Sequence, residues 1–291
     1  MKFSWNVTHP GATAKTILAE QGVSHRMFSQ INQSNGQVLI NGRSVKPATK
    51  VNVGDQVTLI VPEEPADPNV PVSDGPLTVQ YEDENLMVVE KPAGLTVVPG
   101  PSNRTDTLVN RVKGHLVAAG DRQLVPHVIT RLDRDTSGLV LLAKHRLANS
   151  WLNQQLGDHT LVKRYLAIVS GQLSADHDMI DAPLRRADDG VNQIVAPDGK
   201  SAQTEYWVKQ RGADWTLVEV LLHTGRTHQI RAHFQSLGHP LLGDELYGGP
   251  QTQLTRQALH AYALNFEDPV THEQRQFECP LPADMLAIVQ A

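Results

Sequence analysis

The apolar residues of this chain come in short runs whose period changes along its length. Residues 13–20 and 24–33 carry apolar side chains at helical spacing around a Gly22-Val23-Ser24 turn, with Ser24 placed as an N-cap. Short extended runs follow at 37–40, 44–45 and 56–60. Asn41-Gly42 stands between the first two, and both residues tolerate the positive φ of a tight hairpin turn. Beyond residue 76 the pattern is dominated by strands, at 77–81, 86–89, 138–144, 164–169, 202–208 and 215–222. Helical spacing returns only near 146–156 and 227–237. Strands that follow one another without regular helices between them predict an α+β fold with a mixed, largely antiparallel sheet. A doubly wound nucleotide fold is not expected.

The two patterns are separated by residues 62–75, where Pro62, Pro65, Pro68 and Pro71 forbid a helix or a central strand. Such a segment favours an extended linker, expected here to share few contacts with the rest. The charge changes at the same place. Residues 1–61 hold six Lys/Arg against Glu20 and Asp55, a surplus of four positive charges. The linker holds four acids and no base, and the 291-residue chain as a whole stands at −5. The expected division is a basic front domain (1–61), an acidic linker (62–75) and a larger body (76–291).

Other features narrow the class. Cys279 is the single cysteine, which excludes an internal disulfide framework and an all-cysteine zinc site and fits a reducing compartment. The first residues carry no apolar core of signal-peptide length, and the longest apolar stretch, 139–143, is far too short to span a bilayer. A cytoplasmic protein without a membrane partner is expected. Glycine-rich phosphate loops, the Gly-x-Ser-x-Gly elbow and His-Glu-x-x-His are all absent. His228 and His233 lie five apart, about 140° around a helix, so they are poorly placed to share a metal. Chemistry must then come from carboxylates, arginines, tyrosines and backbone donors.

Three stretches could carry it. Thr130-Arg131-Leu132-Asp133-Arg134-Asp135-Thr136-Ser137-Gly138 crowds acids and bases into a turn that runs into an apolar strand. This puts Asp133 on a loop at a sheet edge. Asp133 and Asp135 could face one side of an extended segment, as a carboxylate pair for glycoside hydrolysis would require. Against that reading stands an aromatic content of 5%, low for a sugar site. Thr224 to Phe234 reads as a helix capped at Thr224 or Gly225. Arg226 then lies in the first turn, a poor match to the helix dipole unless an anion such as Asp133 compensates it. Lys163-Arg164-Tyr165 opens a strand, and its tyrosine could offer a flat face to a base.

At these residues the chain resembles the RluA-type RNA pseudouridine synthases. Their His-Arg-Leu-Asp-x-x-Thr-Ser-Gly pattern is met from Thr130 to Gly138, with threonine in place of the histidine. Lys163-Arg164-Tyr165, Gly225 through His233, Leu237 through Asp244, and Tyr247-Gly248 match further motifs. So do Tyr81 to Gly94 and the closing Leu259 to Pro282, so the likeness covers 76–291 in order. Residues 12–61 resemble the small S4-like RNA-binding module through Gly22 to Arg26, Val45-Lys46 and Val53-Gly54-Asp55.

The resemblance implies isomerisation of uridine to pseudouridine in RNA without metal or cofactor. The catalytic residues it implies are Asp133 as the essential carboxylate, Tyr165 stacked on the uracil, and Arg226 paired with Asp133. Substrate contacts would come from Arg131, Lys163, His228 and Arg231. The front domain would meet RNA through Arg26, Arg43, Lys46 and Lys50. A monomer is expected, acting on large-subunit ribosomal RNA, with transfer RNA as the alternative. A non-catalytic RNA-binding assembly factor on the same scaffold is the remaining reading.

Overall fold

The computed structural model describes residues 1–291. The first 61 residues build β1 (Lys2–Asn6), α1 (Ala14–Glu20), α2 (His25–Gln33), β2 (Gln37–Ile40), β3 (Arg43–Ser44) and β4 (Gln56–Ile60). The strands form one sheet in the order β1-β4-β2-β3. Thr13 and Ser24 cap the two helices, accepting from the amides of Thr16 and Met27. Asn41 and Gly42 both take positive φ between β2 and β3, as a tight hairpin requires. β1 was not expected. Its Phe3 and Trp5 alternate with polar residues, but five residues at a chain end give too short a pattern to read.

The body adds β5 (Thr78–Glu82), β6 (Leu86–Lys91), α3 (Leu108–Ala118), β7 (His127–Val128), β8 (Ser137–Ala143), α4 (Arg146–Gly157) and β9 (Val162–Ser170). It continues through β10 (His177–Asp181), β11 (Leu184–Arg186), β12 (Gln193–Val195), β13 (Gln203–Arg211), β14 (Trp215–Leu222) and α5 (Gln229–Ser236). It ends with β15 (Leu259–Glu267), β16 (Gln274–Glu278) and α6 (Ala283–Gln290). The main sheet runs β10-β13-β14-β9-β15-β8-β6-β5, with β16 on β15 and β7 on β8. It is antiparallel except where β15 meets β8, so the mixed, largely antiparallel α+β expectation holds. None of the helices is long and apolar enough to cross a membrane.

The sheet is covered by helices because its strands are apolar on both faces. Every residue of β8 is buried. Val89 and Val140 pack against Leu108, Val112 and Leu116 of α3, whereas Val88 and Leu141 pack with Ala148 and Leu152 of α4. At the other end Tyr165, Val218 and Val220 pack against Ile230 and Phe234 of α5.

The parallel contact between β8 and β15 depends on Gly138. A Cβ there would lie 2.2 Å from the Ala261 carbonyl, and its φ is +118°. Only glycine allows both the conformation and the approach.

The proline-rich segment forms no strand or helix, as its prolines require, but it does not hang free. It is strapped across α3. Asn110 Nδ2 donates to the Pro71 carbonyl at 2.7 Å, Ser73 N donates to Asn110 O, and Lys113 Nζ donates to the carbonyls of Asp67 and Val70. A segment without regular secondary structure leaves backbone carbonyls free to accept, and Lys113, only 8% exposed, needs acceptors. The strap sets a test at Gly114, where a Cβ would stand 2.3 Å from the Ser73 carbonyl. Alanine ordinarily stabilises a helix interior relative to glycine. Gly114→Ala is expected to destabilise this protein instead, by about 1–3 kcal/mol, read as a fall in melting temperature.

The front unit is docked on α4. Leu147 belongs to the core of the front unit, with Trp151 packed beside it. Trp151 Nε1 donates to the Gln21 carbonyl at 2.7 Å, and the Phe3 ring meets Trp151 edge-on. His145 caps α4 from within this contact. Its Nδ1 accepts from Ala148 N, its Nε2 bonds Asn85 Oδ1, and the Phe3 ring lies 5.3 Å away. Burial lowers its pKa from 6.5 to about 4. The unfolded chain therefore binds a proton near pH 6.5 that the folded one refuses until about pH 4. Stability from this group is complete above pH 6.5 and is lost as pH falls toward 4, by ~3 kcal/mol in all. His145→Gln, which has no titrating ring, is expected to flatten the fall in chemical-denaturation stability across that window.

Candidate active site

A cleft of about 530 Å³ opens where β9, β14, the segment before α5, and the loop before β8 converge. Its floor narrows to a pit where Asp133, Tyr165, His228, Arg231 and Leu259 meet. The 130–138 loop reaches this floor because it is tied from behind. Lys91, 1% exposed, donates through Nζ to the carbonyls of Pro92, Leu95 and Arg134, each at 2.8 Å. Burial brings its pKa down to about 7, with Asp135 and Asp133 acting in the opposite sense. Arg256 donates to the Asp135 carbonyl. The loop backbone is thus held by two basic side chains, and Asp133 projects into the cleft.

Tyr165, on β9, is 5% exposed and lines the same floor. Burial, reinforced by the Asp133 charge, pushes its hydroxyl well above the usual tyrosine range, so it stays protonated. Lys163, two residues earlier on the same strand face, lines the wider part of the cleft, and burial lowers its pKa.

The partner of Asp133 is not the expected one. Arg231 Nη1 lies 3.2 Å from Asp133 Oδ2, and His228 Nε2 lies 3.8 Å from the same oxygen. Arg231 also makes a two-pronged contact with Asp244, 2.6 Å from Nε to Oδ2 and 2.8 Å from Nη2 to Oδ1. Asp244 is 1% exposed and Arg231 6%. A fork anchored on a buried carboxylate cannot swing, so its remaining nitrogen faces Asp133 in a fixed direction.

Arg226 also lines the cleft, but its side chain is exposed and its Nε donates to the Ser201 carbonyl. The expectation that it pairs with Asp133 assumed a helix starting at Thr224 or Gly225. The helix starts at Gln229 instead, after His228 in the left-handed region at φ 51°. The Gln229 side chain explains the delay. Its Oε1 accepts from Arg226 N and Thr224 Oγ1, and its Nε2 donates to Gln203 O and Thr204 Oγ1. These bonds pin 224–228 as a turn against β13 and carry Arg231 inward where Arg226 had been expected.

Asp135 turns away. Its carboxylate pairs with Arg134 and lines a separate pocket with Gly94 and Arg256. The two aspartates do not share the cleft, which removes the carboxylate-pair reading. Thr130, in the place of the family histidine, is 2% exposed and accepts from Leu141 N. It braces the loop from inside and does not line the cleft.

Arg131, Lys163, Tyr165, Arg226, His228 and Arg231 thus gather around Asp133, whereas Arg26, Arg43, Lys46 and Lys50 are exposed on the front unit and line no part of this cleft. Lys91, Asp244, Tyr247 and Gln229 support the site and were given no role from the sequence. Lys91, Asp244 and Tyr247 stand inside matched motifs, but only the fold shows what they hold.

Comparison with known proteins identifies the family. A family described as RNA pseudouridylate synthase matches residues 85–236, a span holding Asp133, Tyr165 and Arg231. A Bacillus subtilis protein, the uncharacterized RNA pseudouridine synthase YjbO, is 38% identical over 279 residues, covering 96% of this chain and 98% of that one. The ribosomal large subunit pseudouridine synthase D of Vibrio parahaemolyticus is 37% identical over 275 residues, 88% of this chain and 83% of that one. Among solved structures, human RNA pseudouridylate synthase domain containing 1 aligns over 72% of this chain and 85% of its own, with a TM-score of 0.60 and 25% identity. A likeness that runs through almost the whole length of a relative and includes the floor of the cleft places this chain in the RNA pseudouridine synthase family.

Proposed function

We propose that this pseudouridine synthase isomerises uridines of large-subunit ribosomal RNA and that Asp133 is its essential carboxylate. The observation that carries the reading is the single anchored fork, Asp244–Arg231–Asp133, at the floor of a cleft walled by Tyr165. The isomerisation breaks N1–C1′ and forms C5–C1′. The C5 proton leaves and N1 gains one, so no oxidant or co-substrate is consumed. Asp133, held against the Arg231 guanidinium at 3.2 Å, supplies the carboxylate for nucleophilic or base chemistry. Tyr165 lays its ring against the uracil, its protonated hydroxyl within the same floor. The target uridine must leave its stack to reach this depth. Arg131, Lys163, Arg226 and His228 line the walls and would take phosphate and carbonyl oxygens.

Residues 1–61 act in this proposal as an S4-like RNA-binding domain, joined by 62–75 to a catalytic domain of 76–291. Arg26, Arg43, Lys46 and Lys50 track phosphates there, consistent with the surplus of positive charge. The large-subunit substrate is favoured by the ribosomal names of relatives at 37–39% identity. A cytoplasmic monomer completes the reading. The test is to map pseudouridines in ribosomal and transfer RNA from cells with and without the gene. Loss confined to large-subunit RNA is expected, restored by wild type but not by Asp133→Asn. Loss confined to transfer RNA would overturn the substrate assignment.

A further inference from the structure

Tyr247 lies behind the floor of the cleft, in a short turn just after Asp244, and is 8% exposed. It touches both groups that flank Asp133. Its ring lies beneath the Arg231 guanidinium, 4.8 Å from centroid to carbon, and meets the His228 ring edge-on at 5.7 Å. Its hydroxyl oxygen receives the Gln193 amide at 2.8 Å and stands 3.0 Å from His228 Nδ1.

The direction of these bonds follows from counting protons. A backbone amide can only donate, so the Gln193 contact uses a lone pair of the phenol oxygen. The phenol still has its own proton to place, and the polar atom within reach is His228 Nδ1. Nδ1 must then accept, and the ring proton resides on Nε2, the atom facing Asp133. Burial and the Arg231 charge favour the neutral imidazole, against Asp133 and Asp244, which favour the charged one.

We propose that Tyr247 is a positioning residue for the isomerisation: its hydroxyl locks His228 as the neutral Nε2–H tautomer while its ring supports the Arg231 fork. Both neighbours of Asp133 then offer it hydrogen and neither offers a lone pair. In the other tautomer the imidazole lone pair would face the carboxylate at 3.8 Å. Two lone-pair atoms facing each other repel, which would push the ring or the carboxylate out of the position in which Asp133 can react. The inference rests on the reading of Asp133 as the essential carboxylate, and Asp133, Arg231, Asp244 and Tyr247 are the titratable or charged groups facing the ring.

The experiment uses the free full-length protein with ¹⁵N-labelled histidine, so it needs no RNA. His228 is assigned by loss of its signals in His228→Gln. Two-bond ¹H–¹⁵N correlations at neutral pH are expected to show the Nε2–H pattern in wild type. Tyr247→Phe keeps the ring and removes the hydroxyl. It is expected to mix the tautomers and to lower kcat for pseudouridine formation about tenfold, with KM for RNA unchanged. A wild-type His228 in the Nδ1–H or doubly protonated form overturns the proposal. So does a Tyr247→Phe protein in which kcat falls while the tautomer stays, or the tautomer mixes while kcat stays. Should Tyr247→Phe fail to fold, the wild-type spectrum still decides. If no RNA is turned over by the wild type, the functional reading falls, whereas the tautomer is read independently.

Discussion

Asp133→Asn is expected to reduce pseudouridine formation below about one-thousandth of the wild-type rate, a barrier increase of at least ~4 kcal/mol, while leaving the fold intact. The amide keeps the shape of the side chain and loses the charge and nucleophilicity of the carboxylate. Little stability should go with it. The Asp133 side chain is 31% exposed and makes one hydrogen bond, of 3.2 Å to Arg231, beside the 3.8 Å approach of His228, and Arg231 keeps its buried pair with Asp244. The measurement is tritium release from RNA labelled at uridine C5, beside melting temperature and RNA affinity. Residual activity within about tenfold of wild type would remove Asp133 from its proposed role.

Arg231→Lys should be the second most damaging conservative change, costing about a hundredfold in kcat, or ~2.7 kcal/mol. A guanidinium can hold Asp244 with two nitrogens and still direct a third at Asp133, whereas an ammonium is a point charge that reaches one or the other. Lysine is the informative replacement because it retains the charge. An uncharged residue would leave Asp244 buried without a partner and cost ~3–5 kcal/mol of folding stability, which would confuse the two effects. Arg226→Lys is the control and should stay within a few-fold of wild type, since that side chain is exposed and bonded to a backbone carbonyl. If the Arg226 variant lost more turnover than the Arg231 variant, the order of the two arginines around Asp133 would have to be exchanged.

That exchange is also where sequence reasoning stopped. What depends on neighbours along the chain was legible. Thr13 and Ser24 cap helices, Asn41-Gly42 turns a hairpin, and the apolar run after Ser137 is a buried strand. Asp133, Tyr165 and Arg226 stood out from local charge and position, the other cleft-lining residues were named through the family resemblance, and the supporting Lys91, Asp244, Tyr247 and Gln229 were given no role. The pairing of Asp133 was not legible. It depends on where α5 begins, and that is decided by the Gln229 side chain bonding Gln203 and Thr204 on another strand. The strapping of 62–75 across α3 and the docking of the front unit on Trp151 are likewise contacts between segments far apart in sequence. Proline content foretold the extended form of the linker and carried no information about what lies beside it.

The place of β15 in the main sheet bears on when the enzyme comes into being. Strands β10, β13, β14 and β9 make one half, and β8, β6 and β5 the other. β15 is the strand that joins them, antiparallel to β9 and parallel to β8. Tyr165 belongs to the first half, and Asp133 leads into the second. A nascent chain that has not yet delivered residues 259–267 holds the two on separate pieces of sheet, with no backbone ladder between them. Contacts of such long sequence separation form late. The two walls of the cleft are therefore not joined by a backbone ladder until β15 is in place, and a fragment that ends before this strand is expected to show no pseudouridine formation in the tritium-release assay.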